Sequence, residues 1–67
     1  MRQEIIEVLK QHFKAHIFKH KMNVDIMLAN PMGLHDHTNL IDAIENEVAQ
    51  IAEYMDKLEV IEEYFKE

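Results

Sequence analysis

Three histidines, His12, His16 and His20, stand four residues apart. On a helix of ~3.6 residues per turn, that spacing lines their imidazoles along one side. Two imidazoles one turn apart can chelate a divalent transition metal, and nitrogen donors of this kind suit zinc and nickel. A third ligand can come from Glu47. If the chain turns back on itself near Leu34, antiparallel register brings Glu47 opposite His20. Glu47 also interrupts an apolar stripe, where a carboxylate needs a reason. The metal reading is therefore a His16–His20–Glu47 site for Zn²⁺ or Ni²⁺, repeated by symmetry in a dimer. The same residues have a structural reading, in which a buried Glu–His layer fixes register and partner choice at some cost in stability. Di-metal carboxylate bundles carry a Glu-x-x-His motif on paired helices, and this chain has none.

A second constellation is His35-Asp36-His37. A His-x-His pair beside an acid can bind metal or exchange protons. No nucleophile, Gly-rich phosphate cradle or triad accompanies it, so it defines no enzyme. As a capping segment it has a simpler use, satisfying the free amides at the start of the following helix. It lies within the one irregular stretch, which holds Asn30, Pro31, Gly33, His35 and His37 and contains the only proline and the only glycine of the chain.

Everything on either side of that stretch reads with helical period. The first run, about 2–29, ends where Pro31 biases Asn30 away from the α region. Ile5, Ile6, Leu9, Phe13, Ile17, Val24, Met27 and Leu28 collect on its main face. A second patch, Val8, Ala15, Phe18, Met22 and Ile26, lies on another side. The second run, about 39–66, carries a seam of Ile41, Ile44, Val48, Ile51, Met55, Leu58 and Phe65, widened by Leu40, Tyr54 and Ile61. Its steps of three and four predict an amphipathic helix. Two such runs around a short loop, 30–38, predict a single all-α domain, an antiparallel two-helix hairpin. Each helix would be ~42 Å long at ~1.5 Å per residue. One antiparallel neighbour covers one face of the first helix and leaves the Val8–Phe18–Ile26 patch open. Pairing two hairpins as a homodimeric four-helix bundle is the simplest way to cover it.

Size points the same way. At 67 residues the chain falls below the ~70–80 residues at which a lone core rarely leaves more than ~3–5 kcal/mol. Disulfides cannot help, because there is no cysteine; that also excludes thiolate chemistry and fits a reducing compartment. The net charge of −6 argues against nucleic acid as a partner. The charge is also unevenly placed. Residues 1–29 carry five bases and three acids, net +2, whereas 30–67 carry two bases and ten acids, net −8. Basic and acidic halves attract when folded side by side. Neither run is apolar enough to span a membrane, and the acids of MRQEIIEVLKQ do not suit a signal peptide. A cytoplasmic location is the expectation.

The stretch Asn23-Val-Asp-Ile-Met-Leu-Ala-Asn-Pro-Met-Gly-Leu-His-Asp-His37 is followed by Ile41-Asp-Ala-Ile-Glu45 and Ile51-Ala-Glu-Tyr-Met-Asp-Lys-Leu-Glu-Val60. Together they resemble short proteins of T4-like phages of marine bacteria, the cyanophage type. The shared pattern is an Asn-Pro-x-Gly turn, a histidine before the second helix and an Ile-Ala-x-Tyr-x-x-Lys-Leu-Glu-Val segment. Where that pattern has proline after the loop histidine, this chain has Thr38, which leaves the helix cap open. The resemblance implies a viral or marine metagenomic origin and supplies no catalytic residue.

Three functions remain. The first is a small acidic interaction module that oligomerises and occupies a host or viral protein, in the host cytoplasm if the chain is viral. The second is a metal-binding bundle using the helix-1 histidines, and the third is a structural or scaffolding component of a virion.

Overall fold

The computed structural model describes residues 1–29 and 37–66, and of 37 and 38 the backbone alone. Two helices account for nearly all of it, α1 at Arg2–Ala29 and α2 at His37–Tyr64. Neither helix contains glycine or proline, so nothing in their interiors competes with continuous i→i−4 bonding. The second helix starts and stops about two residues before the 39–66 expected from its stripe. Its end is closed by Phe65 N–H donating to Ile61 O at 3.0 Å. Exposed Lys21–Asp25 and Lys57–Glu53 pairs, at 3.2 and 3.5 Å, add one-turn ion pairs. Such pairs contribute ~0.3–0.5 kcal/mol each.

The helices lie antiparallel over their whole length. Ile6 and Phe65 line one cavity at the open end, Phe13 stands against Tyr54, and His20 bonds Glu47. The hairpin is a slender rod, 51 × 15 × 12 Å.

The facing lines follow alternating steps of three and four. On α1 they are Ile6, Leu9, Phe13, His16, His20, Asn23 and Met27; on α2 they are Leu40, Ile44, Glu47, Ile51, Tyr54, Leu58 and Ile61, all enclosed or half-enclosed. This corrects the seam expected for the second helix. Ile41, Val48 and Met55 are not at the contact; they are 65%, 49% and 56% exposed. The broad apolar stripe of α2 contains two overlapping lines that share Ile44, Ile51 and Leu58. The line through Glu47 and Tyr54 wins because both make specific contacts with histidines of α1. On α1, Ile5 and Leu28 likewise lie outside the contact.

Among the described residues Ile6 is the only large hydrophobic side chain close to full enclosure, at 8% exposed, while thirteen others are exposed. A pair of helices has no interior of the kind three or more elements create. No helix among the described residues is long and apolar enough to cross a membrane.

Candidate functional site

Midway along the rod, the hairpin encloses a polar and aromatic layer. His20, 9% exposed, donates from Nδ1 to Glu47 Oε2 at 2.5 Å. A carboxylate oxygen only accepts, so Nδ1 must carry the proton. Asn23 Nδ2 donates to the other oxygen, Glu47 Oε1, at 3.2 Å. Two donors from adjacent turns of α1 thus hold one carboxylate of α2. The bond from His20 holds the Glu47 carboxyl below the usual carboxylate range; burial opposes this, while Asn23 and the charges of His20 and Lys19 reinforce it.

One turn away, His16 lies flat on Tyr54, with ring centroids 4.3 Å apart and planes at 8°. His12 meets His16 edge-on at 4.5 Å, and Lys57 Nζ caps the Tyr54 ring at 4.8 Å. The imidazole of His16 is sandwiched, and its buried Nδ1 makes no hydrogen bond. Burial holds this imidazole below the ordinary histidine value. The positive fields of His12, Lys19, His20 and Lys57 push the same way.

Of the expected metal ligands, the fold brings His20 and Glu47 together, but as a hydrogen-bonded pair. His16 is stacked on Tyr54, its ring centroid 6.3 Å from that of His20. No group of three His, Asp or Glu side chains among the described residues is disposed to hold a metal ion. The contact belongs to one register: a slip of one residue would leave Glu47 and His20 without each other.

Val8, Ala15, Phe18, Met22 and Ile26 are all exposed, on the flank of α1 away from α2. The loop residues Asn30, Pro31, Gly33 and His35, with Asp36, lie outside the described residues, as does the side chain of His37. Tyr54 is the contributor that sequence reasoning passed over, treating it as the edge of a stripe. Its signal was present: the register that sets Glu47 against His20 carries Tyr54, two helical turns on, to the level of Phe13 and His16.

No protein-family model, curated protein or solved structure matches this chain. The functional reading rests on the geometry.

Proposed function

We propose that the chain is a small acidic self-associating interaction module, without catalytic activity, that works by covering its apolar faces with further copies and with a protein partner. One observation carries this reading: among the described residues the single hairpin leaves thirteen large hydrophobic side chains exposed and buries Ile6 alone of that kind. Monomeric proteins rarely leave contiguous apolar surface beyond a few hundred Å². The polar layer supports the same reading, because a bonded His20–Glu47 pair gives a slender two-helix element one register in which to present its faces. A metal-binding role has less support, since His20 and Glu47 are committed to each other. The resemblance to short phage proteins suits a viral module acting on a host or viral protein in the host cytoplasm.

Light scattering of the purified protein at micromolar concentration tests the reading. A mass of at least two chains is expected. A folded, fully helical monomer of 8.0 kDa would overturn it.

A further inference from the structure

The two sides of the helix–helix seam differ in chemistry. Because the helices are antiparallel, the residue following a seam position is displaced to the same side on both. On one side, Lys10, Ile17 and Val24 of α1 therefore run alongside Ile41, Val48 and Met55 of α2. The three on α1 are half-enclosed, and the three on α2 are exposed. On the other side stand His12, Lys19 and Lys57, the groups that surround His16. Ile17 and Val24 of α1 with Ile41, Val48 and Met55 of α2 make the first side an apolar face shared by both helices, unlike the Phe18 patch, which belongs to α1 alone. Lys10 and Glu62 stand in the same two rows at its open end.

The rims of this face carry opposite charge. Lys14 and Lys21 border it on α1, with Glu7 the one acid in that row, and Glu45 and Glu59 border it on α2. Two copies can meet face to face about a two-fold axis in two ways. An axis across the rod sets α1 on α1 and α2 on α2, so lysines face lysines and glutamates face glutamates. An axis along the rod sets α1 of each copy on α2 of the other. The register fixed by His20 and Glu47 then repeats between copies, placing Lys21 within one residue of Glu45 and Lys10 within two of Glu59, against one like pair, Glu7 within one residue of Glu59. Like charges facing one another destabilise an interface, and opposite charges select partner and orientation.

We infer that the occupant of the Ile41–Val48–Met55 face is a second copy of this chain, related by a two-fold axis along the rod, with both turns at the same end. This rests on the self-association proposed above and adds the face, the symmetry and the charge pairing. The face is adequate in size. The broad side of the rod that carries it measures 51 × 15 Å between Cα extremes, of the order of the ~800 Å² per partner of a stable interface.

The test is a spin-label distance in the assembled protein. The chain has no cysteine, so Glu63→Cys, on the solvent side at the open end of α2, gives a single label. Coaxial copies hold the two labels at one end, about 25 Å apart for helices at ~8–10 Å spacing. Crossed copies hold them at opposite ends, about 40 Å apart or more. The short distance is expected, and the long one overturns the coaxial arrangement while leaving self-association standing. A monomer overturns both. Val48→Glu should raise the dimer dissociation constant at least tenfold with helicity retained, whereas Phe18→Glu should not; the reverse pattern moves the dimer to the other face. Lys21→Glu should weaken the dimer, and adding Glu45→Lys should restore it. Failure of that rescue removes the charge argument.

Discussion

His20 and Glu47 are bonded across the hairpin, Nδ1 to Oε2 at 2.5 Å, and Asn23 takes the second oxygen of the same carboxylate. This pairing is the most specific contact between the helices. Apart from the His16–Tyr54 stack, the rest of the seam consists mainly of apolar side chains that many registers would satisfy, whereas the carboxylate has one position with two donors. A bonded layer therefore adds uniqueness to a contact whose driving force is apolar burial.

Removing one partner should cost more than removing both. Glu47→Leu leaves His20 and Asn23 without their acceptor, and His20→Leu leaves Glu47 with one donor. Each should lower Tm by several degrees, while the double variant should melt closer to wild type than either. Thermal melts of the four proteins check this. Additive losses would show that the two side chains act independently.

Acid should destabilise the hairpin in two windows. His16 has its value depressed by burial and by His12, Lys19, His20 and Lys57. The folded state thus prefers neutral His16, and its contribution is intact above the ordinary histidine value, ~6.5. It is lost as pH falls from there through the folded value. Glu47 is depressed mainly by the bond from His20. Its contribution is intact above the ordinary glutamate value, ~4.3, and is lost as pH falls through the lower folded value. Tm should therefore decline from pH 7 to 5 and again below about pH 4. His16→Leu should flatten the first decline and Glu47→Gln the second. A His16→Leu profile parallel to wild type from pH 7 to 5 would mean that His16 charges freely in the folded state.

The fold was highly legible in the sequence and the site only partly so. Breaker-free runs around one Pro–Gly stretch define two helices, and the step of three and four residues gives each a buried side. Periodicity could not decide which edge of the wide α2 stripe turns inward. Ile41–Val48–Met55 and Leu40–Glu47–Tyr54 fit the same period. Hydrophobicity favours the first, and the fold takes the second, because Glu47 finds two donors and Tyr54 finds the flat face of His16. Histidine spacing suggested chelation, but on paper it cannot distinguish a metal from a tyrosine ring as the neighbour of His16.

Zinc separates these neighbours experimentally. To ligate through Nδ1, His20 must release the proton it gives Glu47, and His16 must leave Tyr54. Micromolar Zn²⁺ should accordingly leave Tm near its metal-free value. Ligand binding to the native state at 100 times the dissociation constant would instead stabilise by ~2.7 kcal/mol. A large zinc-dependent rise, abolished by His16→Ala, would establish the metal site.

Ile6 tests how far the little enclosure matters. It is the best-covered large hydrophobic side chain among the described residues, at the open end, where it lines a cavity with Phe65. Truncations of buried isoleucine cost ~2–5 kcal/mol, and a terminal site open on one side belongs at the bottom of that range. Ile6→Ala should cost about 2 kcal/mol, a large share of the ~3–5 kcal/mol expected for a scaffold this small. Chemical denaturation at fixed protein concentration measures it, and a loss below about 0.5 kcal/mol would show that the open end is frayed.

Concentration is the most direct probe of assembly. If folding and dimerisation are coupled, stability is inseparable from protomer concentration. A hundredfold rise in concentration then adds ~2.7 kcal/mol by mass action, using ~1.4 kcal/mol per factor of ten. That gain is per dimer, ~1.4 kcal/mol per chain, which for a domain of 60–100 residues corresponds to a Tm rise of roughly 5–10 °C at ~4–8 °C per kcal/mol. Phe18, 63% exposed on the far side of α1, provides the control. Phe18→Glu should keep this concentration dependence and change stability by no more than ~0.5 kcal/mol, as exposed substitutions do. It should lower only the masses above dimer seen by light scattering. Val48→Glu should melt below wild type at every concentration, as the weaker dimerisation expected of it requires. A wild-type Tm that does not move over that hundredfold range would show that the single hairpin is stable with its apolar faces open to water.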